Sequence, residues 1–384
     1  MTLPAQGKIA FANQLRGLAV LLVIVSHYAG TYWNARELVS LFIFAPPIEG
    51  PASMVSRFIT PPTVNYGPFG VAIFFLISGF VIPFSLEKLG AARFLAARLL
   101  RIYPTYWAAS AAVIFVAWLS SKYWGQAFHI ETGRLIANML LVQIQTGQLS
   151  TDLVNWTLAV EVKFYLVAML LWPLIRRRPV LTIVSFSLAL LAYMSCIPRG
   201  WNIVAMGTLQ VGLTSTNTEL LFLPFLFIGT LFHLELTKKI SPKVLVGSAL
   251  VVLAIFLSMW KKTPWYAQSA SAAANYSYAL ALFAICYAFR GRFRANRFLD
   301  FFADISYPLY IVHSLIGYAC MRVLMANGAG FVPAALLALG VAIAVAYLIH
   351  RTVELPTVAL GKRLRRPAST PARPMATDGM KAGA

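Results

Sequence analysis

Long runs of apolar residues, each about the length of a membrane-spanning helix, alternate along the chain with short polar segments. A helix that crosses the hydrocarbon core of a bilayer needs about 20 mostly apolar residues. The pattern therefore predicts an all-α, polytopic membrane protein with about ten transmembrane helices. The predicted spans are residues 15–33, 66–86, 102–120, 154–175, 180–197, 219–236, 243–260, 270–289, 305–325 and 332–350.

The segments outside these spans are of three kinds. An apolar stretch at 135–145 is too short to span and is rich in Asn, Gln and Gly, so we expect a re-entrant or interfacial segment. The first span resembles a signal peptide, but it contains Arg16 and His27 and has no clear cleavage site, so we expect it to be retained. Residues 1–361 then form one membrane domain, and residues 362–384 are predicted to be a disordered, basic, Pro- and Ala-rich tail.

Charge changes this picture in one respect, the orientation. Only 11% of the residues are charged, against about 25% in soluble proteins, and the net charge is +20. The Lys and Arg residues form short clusters between apolar runs, which is typical of the positive-inside rule and excludes a DNA-binding protein and a soluble enzyme. With the N-terminus inside, most of the 32 Lys and Arg residues face the cytoplasm, so both termini are predicted to be cytoplasmic. The three cysteines have no metal-site spacing, and we expect no bound metal.

Arg16 and His27 are ionisable residues inside the first span. They are 11 residues apart, which places them on one helix face with a rise of about 16 Å between them. Each has a simpler explanation, a snorkelling arginine and an interhelical histidine. Together they favour a functional site. A neutral histidine is suited to act as a general base or as an acyl acceptor.

Glu161 and Lys163 enter the fourth predicted span near its outer end. By this topology Glu161 lies at a depth similar to that of His27, where its carboxylate would orient the imidazole or take a proton from a hydroxyl. The alternative is a local ion pair between Glu161 and Lys163. That alternative is disfavoured because residues two apart on a helix face different sides.

Three further positions are ambiguous. His313, in the run Ser306–Ser314, is predicted to lie near mid-membrane as a structural histidine. Glu354 precedes Leu355-Pro356 and suggests a helix end. Arg98 and Arg101 share a helix face at the predicted cytoplasmic mouth, where they suit a phosphate-bearing ligand as well as they suit topogenic charge.

Five segments resemble, in chain order, the motifs of the acyltransferase-3 family of integral membrane acyltransferases. The resemblance covers roughly residues 11–356. The segments are the Arg-x10-His pair Arg16 and His27, the run GVAIFFLISGF at 70–80, the run RLLRIYP at 98–104, the run WTLAVE at 156–161 and the run SYPLYIVH at 306–313. One departure is Asn13, where many members carry an Asp three residues before the motif arginine.

The resemblance implies O-acylation, usually acetyl transfer from acetyl-CoA to a hydroxyl of a glycan such as O-antigen or exopolysaccharide. It implies a multi-pass protein of the bacterial cytoplasmic membrane, with acyl-CoA as a cytoplasmic co-substrate and no permanently bound cofactor. In that reading His27 is the catalytic residue, and Arg98 and Arg101 bind the donor phosphates, whereas Glu161 and Arg16 are added for their place in the spans. The catalytic set is His27, Glu161 and Arg16, the donor phosphates bind Arg98 and Arg101, and further pocket residues are Ser78, Trp156, Tyr307 and His313.

Two alternatives remain open at this point. The acceptor is equally compatible with a non-glycan small molecule such as a macrolide. A secondary transporter that exports a glycan precursor also fits ten spans with buried charges. It predicts internal repeats and broken helices, and the sequence shows no repeat.

Overall fold

The computed structural model describes residues 9–196, 217–263 and 270–363, and these residues form helices and turns without a β-strand. Ten long helices of this described part of the chain lie at the ten predicted spans. We number them α1 (Ala10–Val25), α2 (Tyr66–Leu86), α3 (Ala91–Trp124), α4 (Trp156–Arg177), α5 (Pro179–Cys196), α6 (Leu223–Leu236), α7 (Pro242–Trp260), α8 (Ala270–Ala288), α9 (Ser306–Ala326) and α10 (Phe331–Ile349).

Nine segments of the described residues are long and apolar enough to cross a membrane. The tenth helix, α8, is 19 residues long and packs against α2, but it contains the polar residues Asn275 and Ser277. The prediction of an all-α polytopic membrane protein is therefore confirmed. The cytoplasmic placement of the termini remains a prediction, and residues 364–384 of the predicted tail lie outside the described residues.

Helix α2 lies at the centre of the bundle and contacts α1, α6 and α8. Two of its glycines permit close helix approach. Gly70 lies against the Ala19 carbonyl of α1, and Gly79 lies against Leu226 and Gly229 of α6, so that a Cβ atom at either position would collide with backbone. Small residues at helix contacts are typical of membrane bundles, where van der Waals packing holds the helices together.

Helix α3 is longer than its predicted span of 102–120, because it begins at Ala91. Hydropathy marks only the apolar part of a helix, and the first turns of α3 carry Arg93, Arg98 and Arg101. The 34 residues of α3 rise about 51 Å, more than the roughly 30 Å thickness of a hydrocarbon core. The basic residues therefore belong to a helix and not to a loop.

After α3, the chain folds back into the bundle. The hydroxyl of Tyr106 donates to the Asn138 carbonyl in the short helix Thr132–Met139, and Asn155 Nδ2 donates to Asn138 Oδ1 at 2.9 Å. Tyr106 precedes the end of α3 by 18 residues, or about 27 Å. The segment near 135–145 therefore packs beside the middle of α3, and α4, which follows Asn155, begins there as well. Its re-entrant or interfacial position in the membrane remains a prediction.

The prediction that Glu354-Leu355-Pro356 ends a helix is wrong. Helix α10 continues through a π-helical turn, His350–Glu354, into a further helix, Leu355–Arg363. The π turn interrupts the regular hydrogen-bond register, and Pro356 becomes the second residue of the new helix. The N–H of Leu355 bonds to the His350 carbonyl across the π turn, and Pro356, which has no N–H to place, follows directly.

Candidate active site

His27 lies in a π-helical turn, Ser26–Thr31, that continues α1. Its Nδ1 is 2.7 Å from the hydroxyl of Tyr318 on α9, and the two rings are stacked. In the described residues His27 has no hydrogen bond through Nε2. Single π-helical turns occur frequently at functional sites because they re-aim side chains within a helix. The turn therefore presents an oriented imidazole with one nitrogen available.

His313 of α9 lies beside His27, with ring centroids 4.8 Å apart in an edge-to-face arrangement. The His313 side chain is fully buried, and its Nδ1 lies 2.8 Å from the Tyr310 carbonyl and 3.1 Å from the Leu309 carbonyl. Its Nε2 is buried without a hydrogen-bond partner in the described residues. The sequence suggested a structural histidine, whereas the fold brings this residue to the motif histidine.

Tyr28 holds this arrangement together. Its hydroxyl donates to the His313 carbonyl at 3.0 Å, and its ring lies directly against Gly317 of α9. A side chain at position 317 would occupy the space of the tyrosine ring. The π turn after α1 is therefore attached to α9 at two adjacent residues, at His27 through Tyr318 and at Tyr28 through the His313 carbonyl.

A cavity of about 90 Å³ lies at a second level of the bundle, between α1, α2, α3, α4 and α9. Its polar lining comes from five predicted site residues, together with three further residues of the motif runs, Thr157, Ser306 and Tyr310. The lining includes Arg16, Ser78, Arg101, Thr157, Glu161, Ser306, Tyr307 and Tyr310. Trp156 is absent from this wall and packs on the rings of Phe75 and Phe222.

Arg16 and Arg101 give the cavity a positive character. Within the part of the chain that the structure describes, neither makes a side-chain hydrogen bond or an ion pair. Glu161 and Glu354 are within electrostatic reach of Arg16, and so is the like charge of Arg101. Two guanidinium groups without a direct partner beside a cavity favour binding of an anion, because such groups recognise phosphate and carboxylate oxygens.

Arg98 differs from Arg101 in its surroundings. It is 3% exposed, donates to the Ser85 hydroxyl on α2, and lies over the rings of Phe94 and Tyr165. These contacts join α2, α3 and α4. Of the two arginines that the sequence assigned to phosphate binding, the structure therefore places Arg101 at the cavity and Arg98 in helix packing.

Glu161 accepts hydrogen bonds from Ser78 at 2.9 Å and from Tyr165 at 2.5 Å, both through Oε1. Lys163 forms its ion pair with Glu219, at 2.8 Å, and Glu219 also accepts from Gln145. The alternative of a local ion pair between Glu161 and Lys163 is therefore excluded. The carboxylate of Glu161 is instead held in the cavity wall by two hydroxyl groups.

The relative depth of His27 and Glu161 follows from two contacts of α2. Gly67, near the start of α2, lies against the side chain of Ser26, which precedes His27. Ser78, eleven residues further along α2, is the donor to Glu161. Eleven helical residues rise about 16 Å. The prediction that Glu161 and His27 lie at similar depth is wrong, because α4 begins inside the bundle and not at its outer face.

Helix α9 connects the two levels. Tyr310 lines the cavity and receives a hydrogen bond from Thr157 at 3.0 Å, and its ring centroid is 5.9 Å from that of His313, one helical turn further on. Tyr307 also lines the cavity and donates to the Ile102 carbonyl of α3 at 2.9 Å. The run at 306–313 therefore extends from the cationic cavity to the histidine pair.

Sequence reasoning missed Tyr318, Tyr165 and Glu354 as members of this region. Tyr318 bonds to His27 from a distant segment, and Glu354 lies within electrostatic reach of Arg16 from another, so no local spacing marks these two. Tyr165 lies four residues after Glu161 on the same helix, and only this i, i+4 spacing could have indicated it. Asn13, the departure from the family pattern, donates to Asp300 at 2.6 Å. The acidic group near Asn13 thus comes from another part of the chain.

Of the comparisons with known proteins, the one with protein families gives a match. The chain matches no curated protein and no solved structure. A family model described as an acyltransferase domain, Acyl_transf_3, matches residues 9–351, which include both levels of the site. Together with the apolar helices, this match makes the protein a multi-pass membrane acyltransferase. The chain belongs to the acyltransferase-3 family.

Proposed function

We propose that this protein is an O-acyltransferase of a bacterial cytoplasmic membrane that moves an acyl group, in the simplest case acetyl, from acyl-CoA to a hydroxyl of a cell-surface or exported glycan. The observation that carries the proposal is a pair of guanidinium groups without a direct partner in the described residues, those of Arg16 and Arg101, at the cavity. The oriented imidazole of His27 lies eleven residues after Arg16, about 16 Å further along the same helix. This arrangement separates an anion-binding position from a proton- or acyl-accepting position.

The donor end of the site is the cavity. The phosphates of coenzyme A are anionic, and Arg101 and Arg16 are suited to bind them. In the predicted orientation this level of the bundle is the cytoplasmic one, where acyl-CoA is present. The cavity of about 90 Å³ is much smaller than the roughly 300 Å³ of even a small ligand pocket. Binding therefore requires the wall formed by Tyr310 and Phe74 to move so that the pantetheine arm reaches upward.

The reacting end of the site is His27. The thioester carbon meets its Nε2 about 16 Å above the level of Arg16. There the imidazole takes either the proton of the acceptor hydroxyl or the acyl group itself, and both roles need a neutral ring. Tyr318 holds the ring through Nδ1, which leaves Nε2 for the reaction.

Glu161 belongs to the donor end in this proposal. Its distance of about three helical turns from His27 removes it from the acceptor hydroxyl. It is instead a positioning residue, because its carboxylate is fixed by Ser78 and Tyr165 and balances part of the charge of Arg16. The acceptor enters from the opposite side of His27, which is the outer side in the predicted orientation.

The test uses purified protein in nanodiscs with radiolabelled acetyl-CoA and a glycan extract of the producing cell. We expect label in a glycan fraction with the wild type and none with His27→Ala. Val25→Ala is the matched control, since Val25 is an exposed residue of the same helix. Full transfer by a folded His27→Ala variant would exclude the assignment of His27. Failure of the wild type with acetyl-, succinyl- and longer acyl-CoA donors would exclude the acyl-CoA-dependent function.

A further inference from the structure

The surroundings of His313 determine which of its two ring nitrogens carries the hydrogen. Two backbone carbonyls, those of Leu309 and Tyr310, face its Nδ1 at 3.1 and 2.8 Å. A carbonyl oxygen can only accept, so Nδ1 carries the hydrogen, and in the neutral ring Nε2 holds a lone pair. Nε2 of His313 is therefore a fixed acceptor in the resting protein.

This acceptor is buried and has no partner among the described residues. Leaving a buried acceptor unsatisfied costs about 1–3 kcal/mol, and such groups in a folded protein call for an explanation. The hydroxyl of the next residue, Ser314, is also buried and unpaired. A serine hydroxyl on a helix can rotate to a carbonyl one turn back, whereas the imidazole is locked by its Nδ1 bonds.

Two side chains of α9, His313 and Tyr318, make contact with the His27 ring. Of these, Tyr318 occupies Nδ1 of His27. His313 is the remaining imidazole, and its ring is in edge-to-face contact with that of His27 at 4.8 Å between centroids. Two neutral imidazoles, each without a partner on Nε2, thus lie side by side.

We propose that His313 is a catalytic residue of the transfer and takes the proton of the acceptor hydroxyl, while His27 carries the acyl group. The inference rests on the proposed acyltransferase function and specifies which residue acts as the base when the acyl group moves to the acceptor hydroxyl. His313 suits the base because its Nε2 can only accept. His27 suits the acyl carrier when Nδ1–H donates to the Tyr318 oxygen and leaves the Nε2 lone pair free.

The two steps balance as follows. In the first, the Nε2 lone pair of His27 forms a bond to the thioester carbon, the carbon–sulfur bond breaks, and the coenzyme A thiolate leaves. In the second, the acceptor oxygen bonds to the same carbon, its proton moves to Nε2 of His313, and the carbon–nitrogen bond returns its electron pair to His27. The His313 imidazolium then gives its proton to the thiolate, so both histidines end neutral.

The variant that isolates this role is His313→Asn. The asparagine Nδ2 occupies the position of the histidine Nδ1 and can still donate to the Tyr310 carbonyl, whereas the Nε2 atom is removed. Ser314→Ala is the matched control, because it changes a neighbouring buried side chain that has no hydrogen bond. Melting temperatures in nanodiscs show whether each variant is folded.

The experiment measures two half-reactions in wild type, His313→Asn, His27→Ala and Ser314→Ala. Without glycan, release of free thiol from acetyl-CoA reports acyl-enzyme formation. With the glycan extract, label in the glycan reports transfer. We expect wild type and Ser314→Ala to do both, His27→Ala to do neither, and His313→Asn to release about one thiol per protein while transfer falls by 10²–10⁴-fold, the usual contribution of a general base.

Four results would overturn the proposal. Transfer by His313→Asn within threefold of wild type means that His313 is not the base. Loss of both half-reactions in a folded His313→Asn protein means that it positions His27 instead. Transfer by wild type without thiol release in the absence of glycan means that His27 acts directly as the base. Absence of both reactions in the wild type, with every acyl-CoA tried, is the separate failure of the proposed function.

Discussion

The hydroxyl of Tyr318 lies 2.7 Å from Nδ1 of His27, across a sequence separation of 291 residues. This bond joins the π turn after α1 to α9 and determines which ring nitrogen of His27 is available. Orientation of a catalytic imidazole through its second nitrogen is a general device, because it sets both the tautomer and the ring direction.

Replacement of Tyr318 by Phe removes this bond together with the hydrogen bond between the Tyr318 hydroxyl and Thr31. We expect transfer to fall about tenfold, corresponding to the roughly 1.4 kcal/mol of one hydrogen bond, with donor affinity unchanged. The measurement is the rate of label transfer at saturating acetyl-CoA. Tyr32→Phe is the control, since Tyr32 packs on Tyr318 without bonding to His27. Equal rates for the two variants would show that the Tyr318 hydroxyl has no part in orienting the ring.

Arg98 and Arg101 should respond differently to alanine. Arg101→Ala removes a cavity charge, so we expect the acetyl-CoA concentration for half-maximal rate to rise at least tenfold with an unchanged melting temperature. Arg98→Ala removes a buried side chain that bonds Ser85, so we expect a loss of about 2–3 kcal/mol of stability. Kinetics and thermal unfolding on both variants separate the cases. A stable Arg98→Ala protein with weakened donor binding would show that Arg98 binds the donor phosphates.

Glu161→Gln tests whether this carboxylate acts on donor or acceptor. The glutamine keeps an oxygen to accept from Ser78 and Tyr165 but has no negative charge. Because a negative charge at the cavity opposes phosphate binding, we expect donor binding to tighten about two- to fivefold, with transfer largely retained. Titration calorimetry with coenzyme A measures this. A loss of transfer of 10² or more with unchanged donor binding would make Glu161 the general base.

Gly79→Ala should destabilise the bundle. The added methyl group would meet the Leu226 carbonyl and Gly229 of α6, and backbone cannot move aside as a side chain can. We expect a loss at or above the usual 1–3 kcal/mol of overpacking. Gly340→Ala on the exposed face of α10 is the control, since nothing lies within 4 Å of its Cβ position, and it should be neutral or slightly stabilising. Equal melting temperatures would show that α2 and α6 separate easily.

The buried carboxyl of Asp152 should make the free energy of unfolding depend on pH. Burial raises the pKa of its carboxyl from 3.8 to about 6, and the N–H groups of Val154 and Asn155 oppose this only in part. Since the folded pKa is the higher one, the folded protein binds the proton more tightly than the unfolded chain. The stability from this group is present below about pH 4 and is lost as the pH rises through 6.

Asp152→Asn keeps an oxygen for both N–H groups without the charge. We expect it to melt at a higher temperature than wild type at pH 8, by an amount corresponding to at most about 3 kcal/mol, and at a similar temperature at pH 4. Thermal unfolding in detergent at both pH values measures the difference. A difference that is the same at the two pH values would mean that Asp152 has an ordinary pKa.

The sequence determined the parts that depend on local composition and on spacing within one helix. Runs of about 20 apolar residues identified the ten long helices of the described residues, because a single segment satisfies its own backbone in a membrane only as a helix. The 11-residue spacing placed Arg16 and His27 on one helix face. The five ordered motifs indicated the family that the chain belongs to.

The tertiary structure decided everything that depends on how helices meet. Hydropathy does not show at which depth a helix begins, so the sequence predicts a similar depth for Glu161 and His27. In the structure α4 begins beside the middle of α3, and Glu161 lies about 16 Å from the level of His27 along α2. Hydropathy likewise does not record which side of a helix faces a neighbour. The sequence therefore predicts a structural histidine at position 313. In the structure the contact of the π turn after α1 with α9 places His313 beside His27, with a fixed tautomer and with no partner for Nε2 among the described residues.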